Sequence, residues 1–356
     1  MRRIPFILTA AAGLLGVLAA TSTASARQIV VTTTIQAAVD AAHPGDTIVV
    51  PPGTYRENVL VTKHDIAIEG HAGAILDGTA LVGRTGILVA PAGGASTVRG
   101  FRRSGLRVQN YTENGVLIEH GDHFRVSRGR YVHNGQYGIF ARFSHDGVIE
   151  GNKVSGSDDT GIYIGQSDDI LVEENSSEDC TVGIEVENSS RIKVEENRAI
   201  GNSVGILVDV LPGLEVTATT AITVKENILH RNNRPNPVTD PTDILSLLPS
   251  GMGLLNVGGD GMVAENNVAT RNNSAGIAVV QLPPDAAALD PRIDPFPDQN
   301  EIRHNVALRN GGNPDPKLLA AGLQGADLIW DFSGTGDCCA HNIFQTVFPG
   351  PLPGCP

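Results

Sequence analysis

Aromatic residues are scarce in this chain. They make up 4% of the 356 residues, whereas glycine occurs 41 times. A large mixed α/β core is therefore unexpected, and the composition is typical of tightly turned, β-rich stacks with small residues at their corners. The only long hydrophobic run covers residues 4–20, with Arg2 and Arg3 before it and Ala24-Ser25-Ala26 after it. This pattern predicts a signal peptide over residues 1–26, a secreted mature chain and no membrane span after cleavage.

Basic residues are also few, at 26 lysines and arginines against 39 aspartates and glutamates, which gives a formal net charge of −13. Nucleic-acid binding needs clustered basic side chains, so the sequence argues against that class of function. The negative charge also repels a polyanionic glycan unless a calcium ion bridges the carboxylates. Calcium is therefore the one cofactor that the sequence suggests.

There are four cysteines, and none has the CxxC or Cys/His spacing of a zinc site. In an exported protein a disulfide is expected, and Cys355 has two candidate partners, Cys338 and Cys339. Either pairing would attach a C-terminal tail, residues 338–356, to the preceding domain. Cys180 stands at a repeat position that asparagine occupies elsewhere, which predicts a buried turn residue.

From Gly115 onward one unit recurs every 22 or 23 residues. It comprises a glycine, an apolar-x-apolar strand, a short turn, a second β-branched strand and an asparagine, and its glycines are Gly115, Gly138, Gly161, Gly183 and Gly205. A fixed period predicts one unit stacked on copies of itself, and the period-two alternation makes its elements strands. A leucine-rich repeat fits less well, because turn residues follow Asn197 directly. We therefore predict an all-β fold, a single-stranded parallel β-helix over residues 27–337.

One asparagine recurs at the same phase of every unit. In a stack of similar coils these side chains lie above one another, and buried amides need the partners that identical neighbours supply. We predict an internal ladder of structural asparagines formed by Asn152, Asn175, Asn197, Asn227, Asn266 (with Asn267 as the alternative), Asn305 and Asn342.

The N-terminal part departs from the repeat as a cap would. Thr33-x-x-Gln36 fits a capping box, and a short amphipathic helix follows it. With Gly45-Asp46-Thr47-Ile48-Val49-Val50, Pro52-Gly53-Thr54-Tyr55-Arg56-Glu57 and the Gly and Asn repeats, the chain resembles the pectate-lyase-like superfamily of right-handed parallel β-helices. The resemblance implies the fold. It implies little about chemistry, because that superfamily contains lyases, hydrolases, esterases, epimerases and proteins of no known activity.

No catalytic set of that superfamily is complete here. Asp158-Asp159 and Arg191-Ile192-Lys193 resemble two of four elements of polygalacturonases, but the first acid motif and the Gly-His-Gly are missing, and the second match is a repeat position. The Asp-Pro-His-Asp cluster of alginate-type epimerases is absent. For a calcium site like that of pectate lyases, the candidate ligands are Asp158, Asp159, Asp168 and Asp169.

The period breaks at four insertions rich in Pro, Asp or Gly, near residues 210–220, 233–251, 281–299 and 311–322. All four would border the sheet of glycine-led strands, and such a groove over one face of a solenoid often binds ligands. Outward positions on that sheet give candidate carbohydrate-binding residues, with Phe140 and Tyr163 stacked as a platform for a sugar ring. The set is Glu119, Phe140, Arg142, Tyr163, Glu185, Glu187 and Asp209.

Two hypotheses about function follow from the sequence. The favoured one is a secreted, monomeric β-helix protein that binds a polysaccharide in a groove over one sheet without turning it over, because no catalytic set is complete. The alternative is a polysaccharide lyase or glycoside hydrolase that acts on a uronate-containing or other cell-wall polysaccharide.

Overall fold

The computed structural model describes residues 26–240 and 243–355. The predicted signal peptide at residues 1–26 therefore lies almost wholly outside the described residues. Nearly every coil contributes one strand to each of three long parallel sheets, in the same order along each sheet, so the fold is a parallel β-helix and the predicted fold class is confirmed.

The three sheets are named A, B and C, and their strands are given in chain order. Sheet A contains Gln28–Val30, Thr47–Val50, Ala67–Gly70, Arg102–Ser104, Arg125–Ser127, Val148–Glu150, Leu171–Glu173, Lys193–Glu195, Thr223–Lys225, Val263–Glu265, Glu301–Arg303 and Cys338–Ala340. Sheet B contains Gly53–Tyr55, Ala74–Asp77, Arg107–Gln109, Arg130–Val132, Lys153–Ser155, Ser176–Glu178, Arg198–Ile200, Ile228–His230, Val268–Thr270 and Val306–Leu308. Sheet C contains Val59–Val61, Thr85–Val89, Asn114–Glu119, Tyr137–Arg142, Thr160–Gly165, Val182–Glu187, Val204–Asp209, Met252–Val257, Ala275–Val280, Ala326–Trp330 and Val347–Phe348.

The remaining elements lie at the N-terminal end and in the insertions. They are the strand pair Val98–Arg99 and Gly121–Asp122, the α-helices Ile35–Ala41, Pro284–Ala287 and Pro316–Ala320, and the 3-10 helix Ile244–Leu247. The N-terminal helix buries Ile35, Ala38 and Val39. Its cap differs from the expectation, because Thr34 rather than Thr33 is the N-cap and accepts from the Ala37 N–H at 3.1 Å.

The carboxylate of Glu57 replaces the Gln36 side chain of the predicted capping box. It accepts the backbone N–H groups of Ile35 and Gln36, each at 2.8 Å. Gln36 instead bonds across to the first strand of sheet C, where its Oε1 accepts from the Leu60 N–H at 2.6 Å. A glutamate from the first coils thus satisfies free N–H groups at the helix N-terminus and attaches the cap to the stack.

An asparagine ladder runs through the interior at the turn between sheets A and B. The Asn175 Nδ2 donates to Asn197 Oδ1 at 3.1 Å and to the Ile149 carbonyl at 2.8 Å, and its backbone N–H donates to the same Asn197 oxygen at 2.9 Å. This pattern repeats from Asn152 to Asn305, so the buried amides of the ladder are paired. The rungs are Asn152, Asn175, Asn197, Asn227, Asn267, Asn305 and Asn342.

The structure places Asn267 in this ladder and not Asn266, which is exposed. Asn227 Nδ2 donates to Asn267 Oδ1 at 2.9 Å. The reason lies in the turn, because the residue before each ladder asparagine has a positive φ, as in Glu174 (53°), Glu196 (56°) and Asn266 (55°). The left-handed residue ends the sheet A strand, and the next side chain then points into the core.

The ladder ends at Gly129, where a buried arginine occupies the space of the next side chain. The Gly129 N–H donates to Asn152 Oδ1 at 2.9 Å, and a Cβ at Gly129 would lie 1.6 Å from Nη1 of Arg103. The Arg103 guanidinium lies over the Tyr131 ring at 4.7 Å and donates to the Leu106 carbonyl. Glycine is therefore required at this rung.

Two cysteine expectations can be compared with the structure. Cys355 pairs with Cys338, with a Cα–Cα distance of 4.7 Å, which attaches the tail to the last strand of sheet A, and Cys339 is free. Cys180 is fully buried at the turn between sheets B and C, where its N–H donates to Asn202 Oδ1 at 3.0 Å.

Replacing Asn197 by leucine should lower the free energy of unfolding by about 1–3 kcal/mol, because it leaves the N–H and amide groups of the neighbouring rungs without partners. Chemical denaturation measures the change. The exposed Asn313, changed to leucine, is the control and should unfold within about 0.5 kcal/mol of the wild type. Equal midpoints and slopes for Asn197→Leu and the wild type would contradict a stabilising ladder.

Candidate functional site

The outer face of sheet C changes in character along the helix axis. Strand register aligns the side chains into columns, because neighbouring parallel strands pair residue for residue. One outward column reads Phe140, Tyr163, Glu185, Leu207, Leu255 and Ala278. A second reads Arg142, Gly165, Glu187, Asp209, Val257 and Val280. The face is thus aromatic first, then acidic, then aliphatic.

Three inserted segments cover this face and enclose a cavity of about 740 Å³. They are named the covering segments and comprise residues 243–249, 281–286 and 317–323. Hydrogen bonds connect the first to the third, since Asp315 Oδ2 accepts from the Ser250 N–H at 3.0 Å and Lys317 Nζ donates to the Leu248 carbonyl at 3.3 Å. The second is attached to the end of sheet C, where Asp331 Oδ2 accepts from the Gln281 N–H at 2.7 Å.

Three carboxyl groups lie together on the floor of the cavity. Glu185, Glu187 and Asp209 are all buried, and one oxygen of each lies within 4.8 Å of the other two. Thr160 Oγ1 donates to Glu185, and the Tyr163 hydroxyl donates to Glu187. Asp209 Oδ1 is buried without a hydrogen-bond partner. We call these three residues the acid cluster.

Burial is the main cause of raised pKa values in and near the acid cluster. It raises the pKa of Glu187 to about 7 and that of Asp159, which also lines the cavity, to about 6. Burial and the neighbouring carboxylates raise the pKa values of Glu185 and Asp209 well above their usual range. The cluster therefore retains protons near neutral pH, so it can donate hydrogen bonds as well as accept them.

An aromatic group adjoins the acid cluster. The rings of Phe140 and Tyr163 stack with centroids 4.5 Å apart, and Tyr137 lies 4.9 Å from Tyr163. The Tyr163 ring extends over Gly165, where a Cβ would lie 3.1 Å from its hydroxyl oxygen. Glycine at this position lets the tyrosine hydroxyl reach Glu187 in the next coil.

The structure brings four of the seven predicted carbohydrate-binding residues into the cavity, namely Tyr163, Glu185, Glu187 and Asp209. Phe140 supports Tyr163 from the preceding coil. Glu119 and Arg142 form an ion pair with each other in the earlier coils of sheet C and do not line the cavity. Arg142 thus neutralises Glu119.

The four aspartates predicted as calcium ligands do not form one site. Asp159 lines the cavity and Asp158 is exposed beside it. Asp168 and Asp169 both pair with Arg191. The two pairs flank the six-residue strand Thr160–Gly165, which separates them by roughly 20 Å.

Two other groups have the donor geometry for a metal ion among the described residues. The acid cluster offers only carboxylate oxygens, the ligands that calcium prefers. Asp122, His123 and Asp146 form the second group at the surface, where Asp122 already pairs with Arg99 at 3.0 Å.

Several residues that line the cavity or contact its acid cluster were missed by the sequence analysis. Tyr137 and Thr160 begin their sheet C strands, at an outward position that the analysis of each glycine-led strand did not include. The leucines of the covering segments were missed because the insertions have no period. They are Leu245, Leu247, Leu248, Leu282, Leu318 and Leu323.

Comparison with known proteins supports the fold. A family model described as a right handed beta helix region matches residues 66–210. No curated protein matches the sequence. Within the described residues, no helix is long and apolar enough to cross a membrane.

Several solved structures are similar to this chain. The A-module of the mannuronan C-5 epimerase AlgE4 from Azotobacter vinelandii has a TM-score of 0.60 at 15% identity, covering 90% of this chain and 94% of its own. DFA-IIIase from Arthrobacter chlorophenolicus A6, in complex with GF2, has a TM-score of 0.55 at 16% identity, covering 91% and 99%. The periplasmic alginate epimerase AlgG has a TM-score of 0.52 at 16% identity, covering 84% and 73%. At these identities the likeness establishes the fold alone.

The raised pKa values predict that stability decreases as the pH rises. Below about pH 3 the carboxyls of Asp159 and Glu187 are protonated in both states, whereas between about pH 4 and 7 folding must hold buried carboxyls that would ionise in the unfolded chain. The free energy of unfolding should therefore fall over this window. Replacing Glu187 by glutamine removes one of these carboxyls, so the free energy of unfolding should decrease less with pH. The variant should therefore gain stability relative to the wild type between pH 5 and pH 8, as measured by urea titrations. Parallel pH curves for the two proteins would contradict the prediction.

Proposed function

We propose that this chain, a right-handed parallel β-helix protein, binds a carbohydrate in the cavity over sheet C. The observation that carries the proposal is the convergence of the acid cluster and the stacked aromatic group beneath the covering segments. Sugars offer hydroxyls for hydrogen bonding and C–H faces for aromatic rings, and the cavity has partners for both. Its volume is within the usual range of small-ligand pockets.

The charge of the cavity favours an uncharged sugar over a uronate. Among its described lining residues Lys317 is the only basic one, and its Nζ donates to a backbone carbonyl of a covering segment. A uronate carboxylate would lie beside Glu187 and Asp209 without a cation. The two neighbours named as mannuronan and alginate epimerases support a polysaccharide ligand, although the floor of this cavity favours a neutral one.

The acid cluster also favours a second candidate, glycoside hydrolysis. Retaining glycosidases use two carboxyl groups about 5 Å apart, and the oxygens of Glu185, Glu187 and Asp209 have this proximity. A protonated carboxyl can donate its proton to the departing glycosidic oxygen while an ionised neighbour attacks the anomeric carbon. Lysis of a uronate is less well supported, because no basic side chain of the described floor is placed to remove the proton next to the uronate carboxylate.

We also propose that the chain acts outside the cytoplasm. The Cys338–Cys355 disulfide fits an oxidising compartment, either extracellular or periplasmic. The sequence predicts one solenoid over residues 27–337 and a tail at 338–356. Because the last strands of sheets A and C, Cys338–Ala340 and Val347–Phe348, lie within that tail, we propose that the solenoid extends into it. We expect the exported protein to be a monomer.

A panel of glycans separates the candidates. The purified protein is titrated with neutral oligosaccharides and with oligouronates, with and without calcium, and binding is followed by calorimetry and turnover by new reducing or unsaturated ends. We expect binding of at least one neutral glycan. Release of reducing ends from it would establish hydrolysis, and unsaturated ends from an oligouronate would favour a lyase. Absence of binding across the panel would overturn the proposal.

Substitutions in the cavity should weaken that binding. Glu187→Gln replaces a buried acid and Tyr163→Ala removes the ring. Each should raise the dissociation constant about tenfold, since a buried hydroxyl left without its partner costs about 1–3 kcal/mol and a lost aromatic contact about 0.5–1.5 kcal/mol. Glu119→Gln is the matched control, because Glu119 occupies the same outward column of sheet C outside the cavity. Equal losses in all three variants would show that the cavity does not bind the glycan.

A further inference from the structure

The cavity does not end at the acid cluster. It continues along sheet C into an aliphatic part whose floor contains the half-buried Val257 and Val280 beside Leu207, Leu255 and Ala278, which are at most 4% exposed. Its walls and roof come from apolar side chains of the covering segments, including Leu245, Leu248, Leu282, Leu318 and Leu323. Two strand spacings separate Leu207 from Ala278, so this part is roughly 10 Å long. We call it the aliphatic end.

The polar and apolar parts belong to one cavity, which constrains what can occupy it. A sugar placed over the whole floor would hydrogen-bond at Glu187 and Asp209 but would lay its hydroxyls against Leu255 and Ala278, where the strands of the sheet C floor offer no polar side chain. Burying hydroxyls without partners is costly. A purely apolar ligand would in turn bury the unpaired Asp209 Oδ1 against hydrocarbon.

An amphipathic ligand satisfies both parts. Its sugar would lie over the acid cluster, and its apolar group would occupy the aliphatic end. The exposed side chain of Leu247, on the rim of the cavity and 56% accessible, adds apolar surface near the entrance. The first and third covering segments bring leucines to the same hydrophobic cluster as Leu255, although they are far apart in the chain.

We propose that the ligand is a glycoside that carries an apolar substituent, such as an alkyl, acyl or aryl group, with that substituent in the aliphatic end. The inference rests on the proposed carbohydrate site and specifies its ligand class. Transfer of each methylene from water into such a site increases affinity about fourfold when burial is complete. Affinity should therefore rise with the length of the substituent up to the length of the aliphatic end.

Methyl, butyl and octyl β-D-glucopyranosides, galactopyranosides and mannopyranosides are the probes, used below their critical micelle concentrations, with 1-octanol as the control for the chain alone. Calorimetry at pH 6 should show, for at least one sugar, an octyl glycoside that binds at least tenfold more tightly than its methyl counterpart. The same octyl glycoside should bind at least tenfold more tightly than 1-octanol.

Two variants locate the apolar group. Leu255→Asn on the floor and Leu247→Asn on the rim should both reduce the octyl-to-methyl ratio, the first to near one, with little effect on the methyl glycoside. Leu60→Asn is the matched control, because Leu60 lies in the same outward column of sheet C, far from the cavity, and is 45% exposed. Melting curves verify folding, and the exposed Leu247 keeps the test valid if Leu255→Asn does not fold.

Each of the other outcomes would overturn a specific part of the proposal. If glycans bind but the octyl chain adds nothing, the ligand class is wrong and the carbohydrate site stands. If 1-octanol binds as tightly as the octyl glycoside, the sugar contributes nothing and the amphipathic ligand is wrong. If neither the glycosides nor the glycan panel binds, the proposed function itself fails. An octyl effect that survives both leucine substitutions would place the chain elsewhere and would also contradict the inference.

Discussion

The pairing of buried amides in the asparagine ladder is the constraint on which the rest of the structure depends. Each ladder oxygen accepts from both the backbone and the side chain of the preceding rung, so a coil displaced by one residue would leave polar groups without partners in the core. The ladder therefore keeps successive coils in register. Because of this register, equivalent positions of the repeat form straight columns on the surface, and the outer face of sheet C consists of such columns.

This dependence explains how much the sequence could predict. The spacing of glycine and asparagine predicts the coil and its inward and outward positions, so Tyr163, Glu185, Glu187 and Asp209 could be selected as one surface from the repeat alone. The same reasoning failed by one residue at Asn266, because two asparagines are adjacent there and only the left-handed turn residue distinguishes them. The signal was present in the sequence, since each ladder asparagine follows the last inward residue of its sheet A strand by three positions, as in Val172 to Asn175 and Ala264 to Asn267.

The features that the sequence could not predict depend on contacts that do not follow the period of the repeat. The four calcium candidates were grouped because they are close in sequence, although the strand Thr160–Gly165 of sheet C lies between the two pairs and places them at its opposite ends. The covering segments come from three separate coils, and their path depends on tertiary hydrogen bonds such as Ser250 to Asp315. Their leucines could be identified as loop residues but not as walls of a cavity. The insertions were predicted beside the correct sheet, whereas the enclosed volume and the raised pKa values follow from how the insertions fold back.

The regular spacing of the coils has a consequence for how such a cavity can evolve. The acid cluster and the aliphatic end lie on successive coils, each about 4.8 Å from the next. Duplication or loss of a coil would preserve the ladder and the core while lengthening or shortening the floor by that one increment. The length of ligand that fits the cavity would then change in discrete steps of one coil. Relatives with one coil more or fewer would hold ligands of different length while retaining the same chemistry at the polar end of the cavity.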